Sequence, residues 1–295
     1  MEIEKILRSK QGFIAALDQS GGSSSKTLSL YGVTPDMYKG EDEMFDCIHK
    51  FRSRILTNAA FTSDEILGVI LFKKTMESKI GDEYTSNYLW DKKGIPSFLK
   101  IDLGLESESD GVQLLKDIPE LERDLDRAKD YGIIGTKMRS VIYKYNEYGI
   151  KKVIEQQFKL AKIIISKGLI PIIEPEVSID SSDKELIETF MKKVIKDELS
   201  KLSEKDLLIF KFTIPTKNNL YDELLKYKNV LRIVALSGGY TREDACLKLK
   251  NNTHMIASFS RALLEGLNVN QSEEKFTEIL ENTIHQIYDA SVNKI

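Results

Sequence analysis

Short apolar segments recur along the chain, and each is followed by sequence with a helical pattern. Runs of apolar and β-branched residues bounded by polar, Gly or Pro residues are typical of buried strands. Eight such runs lie at residues 13–17, 69–72, 98–102, 133–138, 169–174, 207–213, 230–236 and 255–259. A short helical piece is predicted after the second strand, through residue 76. Longer helices are predicted at about residues 41–60, 119–129, 150–167, 182–201, 218–228, 241–249, 261–267 and 272–288.

Regular alternation of strand and helix predicts parallel pairing with crossover helices. Eight such units in about 250 residues indicate a (β/α)8 TIM barrel. We therefore predict an α/β fold with one barrel domain over residues 1–295 that ends in C-terminal helices. An open doubly wound sheet is the alternative. Such a sheet normally carries Gly-x-Gly-x-x-Gly after its first strand, and Ser20-Gly21-Gly22-Ser23 departs from that pattern.

Composition narrows the possible partners and the compartment. The net charge of −3 argues against nucleic acid as a partner, although a local pocket for a small anion stays possible. Cys47 and Cys246 form no Cys-x-x-Cys pair and suit a reducing compartment. We find no apolar segment long enough for a signal peptide or a membrane span, so we predict a cytoplasmic protein without a membrane partner. The three histidines lie far apart in sequence, so neither a metal site nor another cofactor is expected.

Polar and charged residues fall repeatedly at or just after the C-terminal ends of the predicted strands. In a barrel of this kind the active site lies at that end. Because buried charge is costly, a ring of charge over one opening indicates function rather than folding needs. The residues concerned are Asp18, Lys100, Asp102, Lys137, Arg139, Glu174, Glu176, Lys211, Ser237, Gly238, Gly239, Ser260 and Arg261.

Lys211 lies near the end of an apolar strand, and period-two alternation places it on the same face as Leu207 and Ile209. A buried ammonium is costly, but a neutral lysine amine avoids that cost and is a nucleophile that can form a Schiff base. The alternative is a lysine whose stem packs along the strand while its charged end reaches water. The other charged strand ends favour the nucleophile.

Roles for three neighbours follow from that chemistry. A second ammonium, at Lys137, disfavours protonation of Lys211. Loss of water from the carbinolamine needs a proton donor, and Glu174 on the adjacent strand is a suitable group. When a carbon–carbon bond next to the iminium breaks, the hydroxyl of the departing aldehyde needs a base, for which Asp18 is the candidate.

Two loops are candidate phosphate sites. Ser237-Gly238-Gly239 is predicted to open a helix, where free backbone N–H groups and the helix dipole favour an anion. Arg261 lies in the neighbouring loop, where it can add charge-assisted hydrogen bonds. Ser20-Gly21-Gly22-Ser23, with Lys100 or Lys26, is the second candidate. An ordinary flexible turn is the alternative for both loops, and the recurrence of phosphate sites after the seventh strand of barrels favours the first.

Several segments resemble the class I, Schiff-base type of fructose-1,6-bisphosphate aldolase. The resemblance runs in order from about residue 12 to residue 264, and residues 171–177 carry its most specific part. The segments are FIAALDQS at 13–20, LKID at 99–102, TKMR at 136–139, PIIEPEV at 171–177, FKFT at 210–213, LSGG at 236–239 and FSRAL at 259–263.

The resemblance implies reversible cleavage of fructose 1,6-bisphosphate to dihydroxyacetone phosphate and glyceraldehyde 3-phosphate, a step of glycolysis and gluconeogenesis. It implies Lys211 as the Schiff-base lysine, Glu174 as the dehydration acid and Lys137 as the neighbouring cation. Glu176 then assists proton transfer, and Asp18 contacts the hydroxyl at the bond that is cleaved. The implied phosphate-binding residues are Ser237, Gly238 and Arg261 for the first phosphate, with Ser20, Ser23 and Lys100 near the other.

The chain also departs from the animal members of that family. Ser260 stands where those members have glycine, and the C-terminal tyrosine that takes part in their proton transfer has no counterpart, since the chain ends Val292-Asn-Lys-Ile. The shorter chain indicates a bacterial branch, and a homo-oligomer is possible. Two alternatives remain open: a Schiff-base enzyme for another sugar phosphate, similar to transaldolase or deoxyribose-phosphate lyase, and a catalytically silent binding protein. The scattered histidines disfavour a metal-dependent aldolase.

Overall fold

A parallel sheet closes on itself in the computed structural model, which describes residues 2–20 and 22–295. In those residues the barrel strands are β1 (Phe13–Leu17), β2 (Ile66–Leu71), β3 (Ser97–Lys100), β4 (Gly135–Ile142), β5 (Ile170–Val177), β6 (Leu208–Thr213), β7 (Val230–Leu236) and β8 (Met255–Ala257). Each strand pairs in parallel with the next one. Ala16 N donates to Phe259 O (3.2 Å), which joins β1 to the chain just after β8. The predicted (β/α)8 barrel is confirmed.

Helices occupy most of the connections between the strands. They are α1 (Glu2–Ser9), α2 (Gly22–Tyr31), α3 (Gly40–Thr57), α4 (Lys73–Glu77), α5 (Thr85–Lys93), α6 (Leu121–Asp130), α7 (Glu147–Ser166), α8 (Lys184–Leu199), α9 (Arg242–Lys250), α10 (Arg261–Leu264) and α11 (Glu273–Val292). Short 3₁₀ helices lie at Pro35–Met37 and Asp222–Lys226. Lys79–Ile80 and Glu83–Tyr84 form a small antiparallel pair, and Val112–Gln113 pairs antiparallel with the end of β4. No described helix has the length and apolar character that crossing a bilayer requires.

The strand residues alternate between two apolar clusters, as the period of a β-strand requires. Ile14, Ile172 and Ile209 belong to the cluster inside the barrel. Their sequence neighbours, such as Phe210, pack outward into the larger cluster beneath the helices. Leu7 of α1 joins the inner cluster and closes the N-terminal end of the barrel. The predicted shared face of Lys211 and Ile209 therefore points into the barrel, and the apolar floor below Lys211 excludes water from its stem.

Two strands extend further than the sequence predicted. β4 continues to Ile142 instead of 138, and β5 continues to Val177, through Pro175, where the prediction ended it. Pro175 is tolerated because β5 pairs with β6 through the backbone only at Ile172 and Ile173, before the missing N–H would be needed. Beyond Ile173, β5 pairs through its backbone only with β4. Toward the C-terminal ends of the strands, contacts between β5 and β6 therefore involve side chains.

Three helices were missed, namely α1, α2 and α5. The sequence of α2, GSSSKTLSLY, has no apolar stripe, and residues 19–25 were predicted to be a polar loop. The predicted helix at 218–228 is shorter and is a 3₁₀ turn, Asp222–Lys226. α2 and α5 were missed because short helices that pack on a barrel need few apolar residues, so their periodicity is weak. α1 has a clear apolar face, formed by Ile3, Ile6 and Leu7, and was missed despite that signal.

Candidate active site

A cavity of about 530 Å³ opens at the C-terminal ends of the barrel strands. Most residues predicted from the sequence line it together. They are Asp18, Ser20, Lys100, Lys137, Arg139, Glu174, Glu176, Lys211, Ser237, Gly238, Ser260 and Arg261. Gly239 lies at the edge of this group, where a Cβ built on it would be 3.6 Å from Arg261 Nη2. Gly21 and the side chain of Ser23 fall outside the described residues.

Four charged side chains meet at the bottom of the cavity. Lys137 Nζ lies 2.8 Å from Asp18 Oδ2 and 2.8 Å from Glu174 Oε2. The other oxygen of Glu174, Oε1, lies 3.3 Å from Lys211 Nζ. All four are buried, and the most exposed of them, Asp18, has only 6% of its surface accessible. One carboxylate therefore lies between two lysine amines.

Electrostatics fix the charge of two members of this group. Burial alone would raise the pKa of Asp18, but the adjacent Lys137 cation, which also donates a hydrogen bond to it, outweighs burial and lowers that pKa, so Asp18 is a carboxylate. Burial also opposes the charge on Lys137, yet Asp18 and Glu174 raise the pKa of this lysine, so it stays protonated. Lys137 is thus a permanent cation next to the Lys211 amine.

Glu174 Oε2 is buried against the Lys137 ammonium. Its contact with Lys137 is an ion pair by distance but lacks hydrogen-bond geometry. Among the described residues it has no hydrogen-bond donor. A buried carboxylate oxygen without a donor is uncommon in folded proteins and is typical of functional sites. A hydroxyl of a bound molecule would complete its hydrogen bonding.

Further ion pairs line the cavity above this group. Arg139 Nε lies 2.5 Å from Glu176 Oε2. Burial opposes the charge on Arg139, but its bond to Glu176 and the charge of Glu174 raise its pKa. Lys100 Nζ lies 2.6 Å from Asp102 Oδ1 and donates to the Asp102 carbonyl at 2.7 Å. Both cations are therefore tied to a carboxylate and oriented along the cavity wall.

A tight turn follows β7 at one side of the mouth. Gly238 and Gly239 have φ values of 62° and 118°, which favour glycine. A Cβ on Gly238 would also lie 2.7 Å from Ile179 Cγ2, so the turn has no room for a side chain. Helix α9 begins at Arg242 with Thr241 as its N-cap, so the turn precedes that helix rather than forming its first turn. The Arg261 side chain, at the start of α10, faces the turn.

Three polar side chains beside the strands were missed by sequence reasoning. Gln157, fully buried on α7, accepts from Glu174 N (2.9 Å) and donates to Ser140 Oγ (3.0 Å). Gln19 donates to Ser260 Oγ (2.5 Å), which connects the loop after β1 to the loop after β8. Ser258 lines the cavity, and its Oγ is buried without a hydrogen-bond partner among the described residues.

A buried arginine holds the loop after β1. Arg52 of α3 donates to Thr75 Oγ1 (2.6 Å) and to the Gln19 carbonyl (2.5 Å). Burial lowers the pKa of Arg52 to about 10, and the charge of Asp18 acts in the opposite direction. One sequence signal existed, because Arg52 interrupts the apolar face of α3 between Ile48 and Ile55. Gln157 carried no such signal.

The side chains that could bind a metal ion do not cluster. In the described ranges, 2–20 and 22–295, no group of three or more His, Cys, Asp or Glu side chains is arranged to hold an ion.

Comparison with known proteins gives both a family and a fold. The model of the class-I fructose-bisphosphate aldolase family matches residues 2–215. Among solved structures, the fructose-bisphosphate aldolase of Plasmodium falciparum, determined in complex with TRAP and a small-molecule inhibitor, is similar with a TM-score of 0.80. The match covers 99% of this chain and 94% of that one at 18% identity.

A second structure, the Cgl0159 protein of Corynebacterium glutamicum, is similar with a TM-score of 0.57. This match covers 98% of the chain and 91% of that protein at 9% identity. At these identities the two structures support the barrel fold alone, whereas the family model covers more than half of the chain.

Proposed function

Because the chain belongs to the class-I fructose-bisphosphate aldolase family, we propose that it reversibly cleaves fructose 1,6-bisphosphate through a Schiff base on Lys211. The products are dihydroxyacetone phosphate and glyceraldehyde 3-phosphate. One observation carries the proposal: Lys211 Nζ lies 3.3 Å from Glu174 Oε1 at the bottom of a cavity, with the Lys137 cation on the same carboxylate. This is the pairing that amine attack and dehydration need.

The first half of the reaction uses Lys211 and Glu174. Glu174 takes a proton from Lys211, and the neutral amine then adds to the ketone carbon. An amine proton passes to the ketone oxygen, which gives a neutral carbinolamine. Glu174 returns its proton to the carbinolamine hydroxyl, which leaves as water, and the nitrogen becomes an iminium. Glu174 Oε1 suits both transfers because it is the carboxylate oxygen that faces Lys211 Nζ, at 3.3 Å. Lys137 holds the other oxygen, Oε2, at 2.8 Å and so keeps the carboxyl group directed at the amine.

Bond cleavage uses the iminium as an electron sink. Asp18 takes the proton of the substrate hydroxyl, the carbon–carbon bond breaks, and its electron pair moves into the enamine on Lys211. The aldehyde product then leaves. Protonation of the enamine at carbon and hydrolysis release the second product and restore the amine. Asp18 suits the base role because it is held as a carboxylate and lies 2.8 Å from the Lys137 ammonium.

Cationic and hydroxyl groups from several loops line the cavity and support a substrate with two phosphates. Arg261 and the Ser237-Gly238 turn come after β8 and β7, and Ser20, Lys26 and Lys100 come from β1, α2 and β3 or the loops after them. Free N–H groups of a glycine turn and a guanidinium are typical of phosphate sites. Arg139 and Ser260 line the same cavity.

Borohydride reduction tests the central step. With fructose 1,6-bisphosphate present, we expect a stable three-carbon phosphate adduct at Lys211, located by peptide mass spectrometry. Lys211→Met should fold, as judged by circular dichroism, and give neither adduct nor turnover. Lys100→Met is the matched control, because it removes another lysine of the cavity and should still be labelled at Lys211. An adduct at Lys137 or Lys100, or none at all, would overturn the assignment.

Substrate choice is tested by comparing fructose 1,6-bisphosphate with fructose 1-phosphate. We expect a clearly higher kcat/KM for the bisphosphate, and Lys100→Met should narrow the difference. Equal values for both sugars in the wild type would point to a Schiff-base enzyme for another sugar phosphate. The cytoplasmic location and the homo-oligomer stay predictions of the sequence.

A further inference from the structure

A second cavity, of about 230 Å³, lies at the opposite, N-terminal mouth of the barrel. We call it the N-terminal pocket. Its wall is formed by the end of α1 and the chain that follows, the beginnings of β7 and β8, and the end of α11. The lining residues are Arg8, Ser9, Lys10, Gln11, Gly12, Leu225, Leu231, Arg232, Thr253, His254, Ile256, Ser291 and Val292.

The charge of the N-terminal pocket has one sign. Arg8, Lys10 and Arg232 line it together with His254, and no carboxylate is among the lining residues. Two carboxylates contact lining residues without lining the pocket themselves. Glu4 lies 3.2 Å from Arg8, and Asp222 lies 4.0 Å from His254. Arg8 also donates to the carbonyls of Lys228 (2.9 Å) and Val230 (3.4 Å), so part of its guanidinium is already engaged.

Arg232 is the central cation of the pocket. Its Nε donates to Leu7 O (2.7 Å) and its Nη2 donates to Lys10 O (3.0 Å). These bonds anchor the C-terminal end of α1 and explain why an arginine can lie half-buried there. They leave Nη1 without a hydrogen-bond partner among the described residues. No carboxylate of the described chain lies within 4.0 Å of the Arg232 guanidinium, so its charge is not paired.

Two further observations show that the pocket favours an added negative charge. Burial and the nearby charge of Arg8 lower the pKa of Arg232 to about 10, which means that the cations destabilise each other. Lys10 is directed by a bond to a neutral group, the Ser63 carbonyl (2.5 Å). An anion placed among these cations would relieve their mutual repulsion and accept hydrogen bonds from the free N–H groups.

We propose that the N-terminal pocket binds the phosphate group of a small molecule. A guanidinium with a free edge, a second guanidinium and an ammonium match the charge and the several acceptor oxygens of a phosphate dianion. The cavity volume suits inorganic phosphate or a small phosphate ester, and the net charge of −3 of the whole chain argues against a polyanion. The pocket is separate from the candidate active site, because it opens at the other end of the strands.

Calorimetric titration with inorganic phosphate and with glycerol 3-phosphate tests the proposal. The titrations use a Lys100→Met, Arg261→Met background, in which anion binding at the candidate active site is weakened. We expect saturable binding that becomes about ten-fold weaker or is lost in Arg8→Gln and in Arg232→Gln, since a hydrogen bond to a charged group contributes about 1.5–3 kcal/mol. Tighter binding of glycerol 3-phosphate would identify an ester as the ligand class, and tighter binding of inorganic phosphate would identify the free ion.

Controls keep the result interpretable. Arg232 also anchors α1, so Arg8→Gln carries the test if the Arg232 variant does not fold. Arg123→Gln removes an exposed arginine of α6 outside both cavities and should bind phosphate as the background does. With Lys100 and Arg261 intact, Arg8→Gln should leave turnover unchanged. Absence of saturable binding in the background, or an unchanged affinity in both the Arg8 and Arg232 variants, would overturn the proposal.

Discussion

Replacing Gln157 with leucine should loosen β5 where it carries Glu174. The buried amide of Gln157 accepts from Glu174 N at 2.9 Å and donates to Ser140 Oγ at 3.0 Å. Leucine has a similar volume and can make neither bond. Both Glu174 N and Ser140 Oγ therefore lose the Gln157 amide as a hydrogen-bond partner.

The loss in the free energy of unfolding can be estimated from the two polar groups that lose the Gln157 amide, Glu174 N and Ser140 Oγ. A buried donor or acceptor that loses its partner costs about 1–3 kcal/mol, so two such groups cost about 2–6 kcal/mol. Burial of the leucine side chain offsets part of this, since a fully buried apolar side chain contributes about 1.5–3 kcal/mol. We expect a net loss of about 2 kcal/mol in the free energy of unfolding, measured by urea denaturation. In a chain of this size that corresponds to a fall in Tm of about 4–8 °C.

Activity should respond in a specific way. A shift of Glu174 by about 1 Å can cost about a hundred-fold in rate, so kcat of Gln157→Leu should fall at least ten-fold. KM should change little, because the phosphate-binding residues proposed above lie on other loops. Turnover of fructose 1,6-bisphosphate in a coupled assay gives both constants.

The neighbouring Gln156 supplies a matched control. It also makes two hydrogen bonds, to the N–H and the carbonyl of Leu115 (both 2.9 Å), but it lies away from the cavity and is only partly buried. Gln156→Leu should lose about 1–2 kcal/mol and keep its kcat. Our interpretation of Gln157 is refuted if Gln157→Leu loses less than about 1 kcal/mol, or if Gln156→Leu lowers kcat by the same factor.

Three other results are expected. Lys137→Met leaves Asp18 and Glu174 buried without their shared cation, so the free energy of unfolding should fall by about 3–5 kcal/mol at pH 7; a loss below about 1 kcal/mol in denaturant titrations would contradict this. Burial lowers the pKa of Lys294 from 10.5 to about 8, so between these pH values the unfolded chain keeps a proton that the folded chain has released, and stability rises with pH. Unfolding free energies of the wild type, measured relative to Lys294→Met from pH 7 to 10, should therefore increase, and a flat or falling difference would show that the shift is absent. Incubation with EDTA should leave turnover unchanged, whereas a loss that zinc restores would indicate a metal-dependent mechanism.

The barrel and the bottom of the site could be predicted because two independent patterns coincide there. Apolar alternation located the strands, and the same alternation placed Lys211 inside the barrel. Lys137 and Glu174 were identified by their positions at the ends of neighbouring strands. A charge at an inward position near a strand end is rare enough to mark a site. The positions of these side chains then follow from strand register, which brings Arg139 opposite Glu174 across β4 and β5.

Other features depend on contacts that no local pattern encodes. The sequence rule that a strand ends at proline placed the end of β5 at 174, but the rule assumes a backbone partner on both sides, and β5 lacks one at Pro175. Gln157 serves Glu174 from a different element, 17 residues away in sequence. Arg52 did interrupt an apolar helix face, yet its partners, Gln19 and Thr75, become neighbours only after the barrel has closed.

Closure between β1 and β8 has a consequence for synthesis of the chain. The bond from Gln19 to Ser260 joins residues 241 positions apart, and Ala16 to Phe259 spans a similar distance. Contacts of such long sequence separation form late, because the intervening chain must first be ordered. A nascent polypeptide therefore leaves the ribosome with the edge of β1 unpaired until β8 has emerged, and during that interval the edge can pair with other chains. Aggregation during expression should thus respond most strongly to substitutions along this seam.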